Sequence, residues 1–362
     1  MIKGLYVHIP FCNSICGYCD FVRSKYSHSL ASRYLTHLEK ELSEIEQDSF
    51  YSIYIGGGTP TSLSEKQLEQ LLKTLSKFTV YEEYTIEINP ESFTRAKAEI
   101  IKKYGINRVS IGIQSFNESL LAHMGRKHRN IDVENTLRYL EEAGITNRSI
   151  DLIFGFKTQT LSDVLTDLYK AVRTNVTHIS IYDLEVYPKT PFGISRYEKL
   201  DNETCFIMYQ SIVEYLNQHG YKQYETSNFA LGSFQSRHNR LYWKYEDFKG
   251  VGLSAGSKIR NIRTDNTASF TEYFNDKYIA ETTRLSDREI VFEAIMMNLR
   301  MNEGIDIKEF DERFNCNILE EYHQSIEKNI DRGLLEIKNG YLKTSYKGIF
   351  VLNDILVDFM NK

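Results

Sequence analysis

Leu5-Tyr-Val-His-Ile-Pro-Phe-Cys-Asn-Ser-Ile-Cys-Gly-Tyr-Cys-Asp20 runs from a β-branched, aromatic segment straight into Cys12, Cys16 and Cys19. The chain holds 5 cysteines, so three of them are concentrated in one short loop. Thiolates at a C-x3-C-x2-C spacing on one loop reach three corners of a [4Fe-4S] cubane and leave the fourth iron open. An open iron beside Tyr18 suits a cluster that chelates a small ligand and passes it an electron. The same spacing admits a structural zinc site, Cys3His with His8 or His28 as the fourth ligand.

The 362 residues predict one large domain and a smaller one. A hydrophobic share of 41% against 26% charged residues argues against disorder and against a disulfide scaffold. The net charge of −5 leaves no electrostatic footprint for nonspecific nucleic-acid binding. No apolar run approaches membrane-spanning length, and the start carries no signal-peptide core, so a cytoplasmic protein with free thiols is expected.

Outward from the cysteine loop, short apolar runs alternate with amphipathic helices through the first 220 residues, the pattern of βα units around a parallel sheet. Strands are predicted at Leu5 to Ile9, Ser52 to Ile55, Tyr84 to Ile88, Arg108 to Ile113, Ser149 to Phe154 and His178 to Leu184. Leu35, Leu38, Leu42 and Ile45 stripe one helix; Leu68, Leu71, Leu72 and Leu75 stripe the next, opened by a Ser62/Glu65 or Ser64/Gln67 capping box. Cys205 falls in a further stripe with Tyr209, Ile212, Val213 and Leu216 and reads as a core thiol, while Cys316 stands in a polar stretch. From about residue 285 the texture becomes α-rich, with Phe292, Ile295, Met296 and Leu299 at helical spacing and a second helix around Ile318 to Ile330. An Asn339-Gly340 hairpin and a last helix complete a winged-helix-like module. With no basic run there, packing is favoured over DNA binding.

In a parallel βα barrel, functional groups sit at the C-terminal ends of strands. The cysteine loop follows the first strand and Gly56-Gly-Gly-Thr-Pro60 the second; Glu87, Gln114 and Asp151 end or follow the next three. Polar groups on successive strand ends facing one mouth with a thiolate loop form a joint signal for a site.

The chain resembles the radical S-adenosylmethionine (SAM) proteins over nearly its whole length. Tyr6-Val-His-Ile-Pro-Phe-Cys12, Cys16-Gly-Tyr-Cys-Asp20, Gly56-Gly-Gly-Thr-Pro60, Ser110-Ile-Gly-Ile-Gln-Ser-Phe116, Gly125-Arg-Lys-His128 and Ile150-Asp-Leu-Ile-Phe-Gly155 carry the likeness. They resemble the branch holding oxygen-independent coproporphyrinogen III oxidase and the HemW-type heme chaperones. The resemblance implies an α/β fold: a partial (β/α)6 TIM-like barrel over residues 1–220, a barrel-closing segment over 221–284 and a small α-rich winged-helix-like domain over 285–362. It implies a [4Fe-4S] cluster on Cys12, Cys16 and Cys19, with SAM on the open iron. Tyr18 would lie against adenine, and Tyr6, Gly57, Gly58, Thr59, Glu87, Gln114, Arg126 and Asp151 would line the SAM pocket. On this joint pattern zinc recedes, and no catalytic residue is assigned.

Within the branch, Phe21 stands where the oxidase pattern has a fourth cysteine, and with the strand leading to the cysteines expected from residue 4 a chain without the longer oxidase extension is expected. Arg237-His-Asn-Arg-Leu-Tyr-Trp243 resembles the H-N-x-x-Y-W motif associated with heme, with His238 as an iron ligand and Tyr242 and Trp243 as flat apolar contacts. The expectation is therefore a chaperone that binds heme and hands it to an acceptor protein, with an electron donor such as flavodoxin or ferredoxin. The alternatives are the oxidase itself, decarboxylating coproporphyrinogen III, and a zinc-stabilised module on DNA. Gly17, Gly155-Phe-Lys-Thr-Gln-Thr160 and Gly252-Leu-Ser-Ala-Gly-Ser257 depart from the family pattern.

Overall fold

The computed structural model describes residues 2–360. In β1 (Gly4–Ile9) the alternation of the sequence is used directly: Leu5, Val7 and Ile9 are fully buried on one face, and Tyr6 and His8 occupy the other. The strand is followed by β2 (Ser49–Gly57), β3 (Thr79–Ile88), β4 (Arg108–Gln114), β5 (Asn147–Phe154) and β6 (His178–Asp183), each parallel to the one before. The intervening helices are α1 (His28–Ser43), α2 (Glu65–Leu75), α3 (Arg95–Lys103), the pair α4 (Glu118–Met124) and α5 (Asn130–Glu142), and α6 (Leu161–Val172); α7 (Asn202–Gln218) follows β6.

Among the described residues this parallel array is the centre of a sheet of twelve strands. Phe248–Val251 joins β1 in parallel and continues into three antiparallel strands ending at Ile279–Arg284; Asn228–Ala230 joins β6 antiparallel and carries Lys222–Glu225 outside it. The two outermost strands do not pair with each other, so the barrel is partial. Its N-terminal end is covered by α8 (Arg237–Trp243), whose first amides point at the Glu83 carboxylate of β3 and whose His238 meets Ser52 of β2.

All six predicted strands are present, and several are longer than the sequence suggested. Ser52 to Ile55 extends to Gly57, because Gly56 and Gly57 stay in the ladder opposite His8 and Ile9. Of the two capping boxes proposed for α2, Ser64/Gln67 forms, Ser64 Oγ accepting from the Gln67 amide. Ile45 lies beyond the end of α1, and Cys205 is buried in the barrel core.

A second hydrophobic core gathers Val291, Ile295, Leu299, Phe310, Ile318, Ile326, Leu342, Ile355 and Phe359. The helix expected over Ile318 to Ile330 is instead two, Ile318–Glu321 and His323–Asp331, parted at Tyr322, and Ile307–Phe314 precedes them. The hairpin forms as expected: Asn339 (φ 54°) and Gly340 (φ 82°) both take the left-handed conformation that a tight turn between Leu335–Lys338 and Tyr341–Thr344 demands. Ile305–Asp306 adds a third strand that the sequence did not signal. Cys316, read as lying in a polar stretch, is buried in this second core.

Candidate functional site

The loop after β1 is pinned at several points. Tyr26 N donates to Cys12 O at 2.9 Å and Ser24 N to Pro10 O at 2.7 Å; Gly17 N donates to Met124 O, and Gly17 O accepts from Phe192 N, both at 2.9 Å. A Cβ on Gly17 would stand 2.4 Å from the Phe192 ring, so glycine, the departure from the family pattern, lets that ring close over the loop. His8 reaches the returning arm, its Nε2 2.9 Å from Val22 O and its Nδ1 3.0 Å from Tyr6 Oη. Both ring nitrogens are thereby used, which removes His8 as a zinc ligand, and His28 is exposed at the start of α1.

Cys12 and Cys16 are buried and Cys19 is half-buried. Burial pushes the Cys12 thiol up to about 11 and raises Cys19 as well, as expected of thiols whose charge has no strong local compensation. Thr59 Oγ1 lies 3.7 Å from Cys12 Sγ, and Arg126 Nη1 lies 3.9 Å from Cys16 Sγ. Among the described residues no three His, Cys, Asp or Glu side chains converge on one ion. A cubane spreads its thiolates over separate irons, so three cysteines on one loop can each meet a different corner. The donor set fits a [4Fe-4S] cluster held by three cysteines.

The other predicted residues gather at the same mouth. Glu87 accepts from Tyr54 Oη at 2.7 Å and from Gly57 N at 3.1 Å, and a Cβ on Gly56 would touch its carboxylate at 2.9 Å. Burial lifts Glu87 to about 7 against those hydrogen bonds. Tyr6 stacks on Tyr54 at 6.2 Å. Asp151 accepts from Ser110 Oγ at 2.9 Å, and its pKa is raised by burial against hydrogen bonds from Ser180 and Ser110. Gln114 ends β4 with φ 72°, and its amide lies where a Cβ on Gly112 would stand 2.9 Å away. Gly58 packs on the Phe11 and Ile9 carbonyls. Tyr18 packs half-buried on an apolar cluster with Met124, Phe156 and Phe192.

Arg126 is 7% exposed, whereas its neighbour Lys127 lies on the surface. Besides Cys16 it meets Asn89 Oδ1 at 3.0 Å and donates to the Gly112 carbonyl. Asn89 in turn donates to Thr59 Oγ1 at 2.8 Å, so three strand ends and the cysteine loop are linked through one guanidinium. Behind it, Glu91 Oε2 lies 3.8 Å from Arg126 Nη2 and 3.5 Å from His128 Nδ1. Burial pushes Glu91 up, but His128 and Arg126 outweigh it and hold the carboxylate below its usual range. Asn89, Glu91, His128, Tyr54 and Ser110 were not predicted as site residues. Two of them, Ser110 and His128, stand inside the quoted motifs, but only the fold shows that they converge.

The segment expected to contact heme lies at the opposite end. Ser52 pairs with Gly4, the first residue of β1, and His238 Nδ1 is 2.8 Å from Ser52 Oγ. His238 Nε2 is 2.8 Å from Tyr242 Oη, and burial lowers the imidazole to about 3. Here the structure differs from the expectation of an imidazole offered to iron, because both nitrogens already have polar partners within the barrel floor. Tyr242 is half-buried, as is Trp243, which carries Arg300 over its ring at 5.0 Å.

The Radical SAM superfamily matches residues 6–168, and the HemN C-terminal domain matches residues 285–351. Over 371 residues the chain is 32% identical to heme chaperone HemW of Lactococcus lactis subsp. lactis (strain IL1403), covering 99% of this chain and 97% of that one. It is 32% identical over 380 residues to heme chaperone HemW of Bacillus subtilis (strain 168), covering 100% of both. Among solved structures, coproporphyrinogen III oxidase (HemN) from Escherichia coli superposes with a TM-score of 0.87 and 21% identity over 99% of this chain and 90% of that one, a likeness of fold.

Proposed function

Since the chain belongs to the HemW family within the radical SAM superfamily, we propose that it is a heme chaperone, which binds a [4Fe-4S] cluster, SAM and heme and delivers heme to an acceptor protein. The full-length similarity to heme chaperones, joined to a three-cysteine loop with Phe21 in place of a further thiol, is the observation that carries this reading.

Cys12, Cys16 and Cys19 would hold the cluster. When bound, cluster and SAM supply one-electron chemistry, a property of the cofactors rather than of the protein. The chain's own groups bind and orient. Arg126, held by Asn89 and Gly112, would meet the SAM carboxylate; Glu87 and Asp151 would accept from its ammonium or ribose hydroxyls; Tyr18 would cover the adenine. Tyr6, Gly57, Gly58, Thr59 and Gln114 complete the lining. His238, Tyr242 and Trp243 would contact heme, and iron ligation by His238 requires its release from Ser52 and Tyr242.

We further assign the barrel, closing segment and C-terminal domain to 1–220, 221–284 and 285–362. The protein would act in the cytoplasm with a flavodoxin- or ferredoxin-type donor. Among the described residues no helix is long and apolar enough to cross a membrane.

Anaerobic reconstitution followed by heme titration tests the function. A Soret shift on stoichiometric heme addition, diminished in His238→Ala, is expected. No shift, or a shift undiminished in His238→Ala, would count against the chaperone, and formation of protoporphyrinogen with consumption of SAM would favour the oxidase.

A further inference from the structure

A cavity of about 300 Å³ opens at the N-terminal end of the strands, lined by Lys3, Tyr51, Arg237, Arg240, Leu241 and Lys244. Lys3 stands just before β1 and Tyr51 early in β2, so the cavity is on the barrel floor; β1 alone separates it from the cysteine loop by about 17 Å at the usual rise per residue. In a chain of net charge −5, four cations converging on one cavity is a local reversal of sign.

The ion pairs around it leave that reversal incomplete. Lys3 meets Glu246 at 2.8 Å, a carboxylate that Arg313 also approaches at 3.6 Å. Arg240 and Lys244 share Glu303 at 2.9 and 3.5 Å, and Arg240 also meets Gln235 at 2.7 Å. The exposed Arg237 guanidinium makes no ion pair or side-chain hydrogen bond among the described residues; only its backbone amide is used, on Glu83. Four lining cations thus face two carboxylates, one of them also shared with Arg313, which leaves the cleft net positive. Arg237 and Arg240 are carried by α8, the helix that also bears His238, Tyr242 and Trp243, and Lys244 follows its last residue.

We propose that this floor cleft is a dicarboxylate site, which takes the two propionates of heme on Arg237, Lys244, Lys3 and Arg240. The inference rests on the heme reading above and adds where, and by which groups, the cargo is recognised. Cleft and ligand are opposite in charge, Arg237 supplies an unengaged fork for one carboxylate, and Leu241 with Tyr51 gives the ring edge an apolar border. Cargo recognition would then be at the floor and cluster chemistry at the mouth.

The test titrates the anaerobically reconstituted protein with hemin and with hemin dimethyl ester, which keeps the iron and the macrocycle but loses both charges. Quenching of Trp243, the chain's 1 tryptophan, reports binding. Wild type should bind hemin about tenfold or more tightly than the ester, the order expected of partly exposed charge-assisted bonds. Arg237→Gln combined with Lys244→Gln, both at surface-accessible side chains, should weaken hemin and erase the difference. Equal binding of hemin and ester by wild type, or discrimination that survives in the double variant, would overturn the cleft while leaving the heme function standing. Failure to bind either porphyrin would remove both.

Discussion

Glu83→Gln is the substitution that most directly probes how the barrel floor is held. Glu83 and Arg108 have side chains only 3% and 2% exposed, with Arg108 Nε 3.9 Å from the carboxylate. The same carboxylate accepts from the amides of Arg237 at 2.8 Å and His238 at 3.1 Å and from Thr85 Oγ1 at 3.1 Å. A neutral amide weakens each charge-assisted bond and leaves buried Arg108 with Asp151 as its remaining carboxylate neighbour. Removing one partner of a buried pair costs about 3–5 kcal/mol, because the other charge stays desolvated. If α8 detaches to relieve it, hydrogen exchange at the amides of Arg237 to Leu241 should accelerate by roughly two to three orders of magnitude. Hemin affinity should fall in parallel, since α8 carries the groups proposed to hold it. Replacing both members, Glu83→Met with Arg108→Met, should recover part of that loss, since the pair is removed together while Asp151 loses Arg108 as a neighbour. Exchange in Glu83→Gln within threefold of wild type would refute the reasoning.

Arg126→Lys keeps the charge but cannot reach Cys16, Asn89 and Gly112 together; SAM affinity measured by equilibrium dialysis on reconstituted protein should drop at least about tenfold, and unchanged affinity would show that the fork is not used. Gly57→Ala places a Cβ 2.5 Å from the His8 ring at φ 109°. It should cost on the order of 1–3 kcal/mol in denaturant unfolding and reduce iron content, with a silent substitution arguing against the tether. Glu87 is raised to about 7 from 4.5, so its ionisation costs stability as pH rises between those values. Glu87→Gln should therefore stabilise the cofactor-free protein at pH 8 by about 1–3 kcal/mol while weakening SAM binding; destabilisation at that pH would count against the buried carboxylate. His238 is depressed to about 3 from 6.5, so below pH 6.5 the unfolded chain takes up a proton that the folded one refuses. Stability should decline from pH 6.5 toward 3, and His238→Gln should flatten that slope.

What could be read from the chain depended on how local the signal was. The cysteine spacing, the strand runs and the Asn339-Gly340 turn are sequence-contiguous, and each is present where its residues lie. The ends of strands were harder: Gly56 and Gly57 look like a loop by composition but are held in the ladder by their partners on β1. The site was legible as separate groups at strand ends, not as a network. That Asn89 bridges Thr59 to Arg126, or that Glu91 and His128 back the guanidinium, follows from registers between strands that no single run of residues encodes. His238 shows the opposite limit. Its motif names a ring with two nitrogens, and only the packing of α8 against β2 reveals that both are spent on Ser52 and Tyr242.

The tethers on the cysteine loop bear on how the cofactor is held. With its arms fastened by Pro10, Cys12, Gly17 and the His8–Val22 contact, the loop is held by bonds that do not pass through the cysteine sulfurs. Removing one sulfur, as in Cys16→Ala, should therefore lower iron content without unfastening the loop.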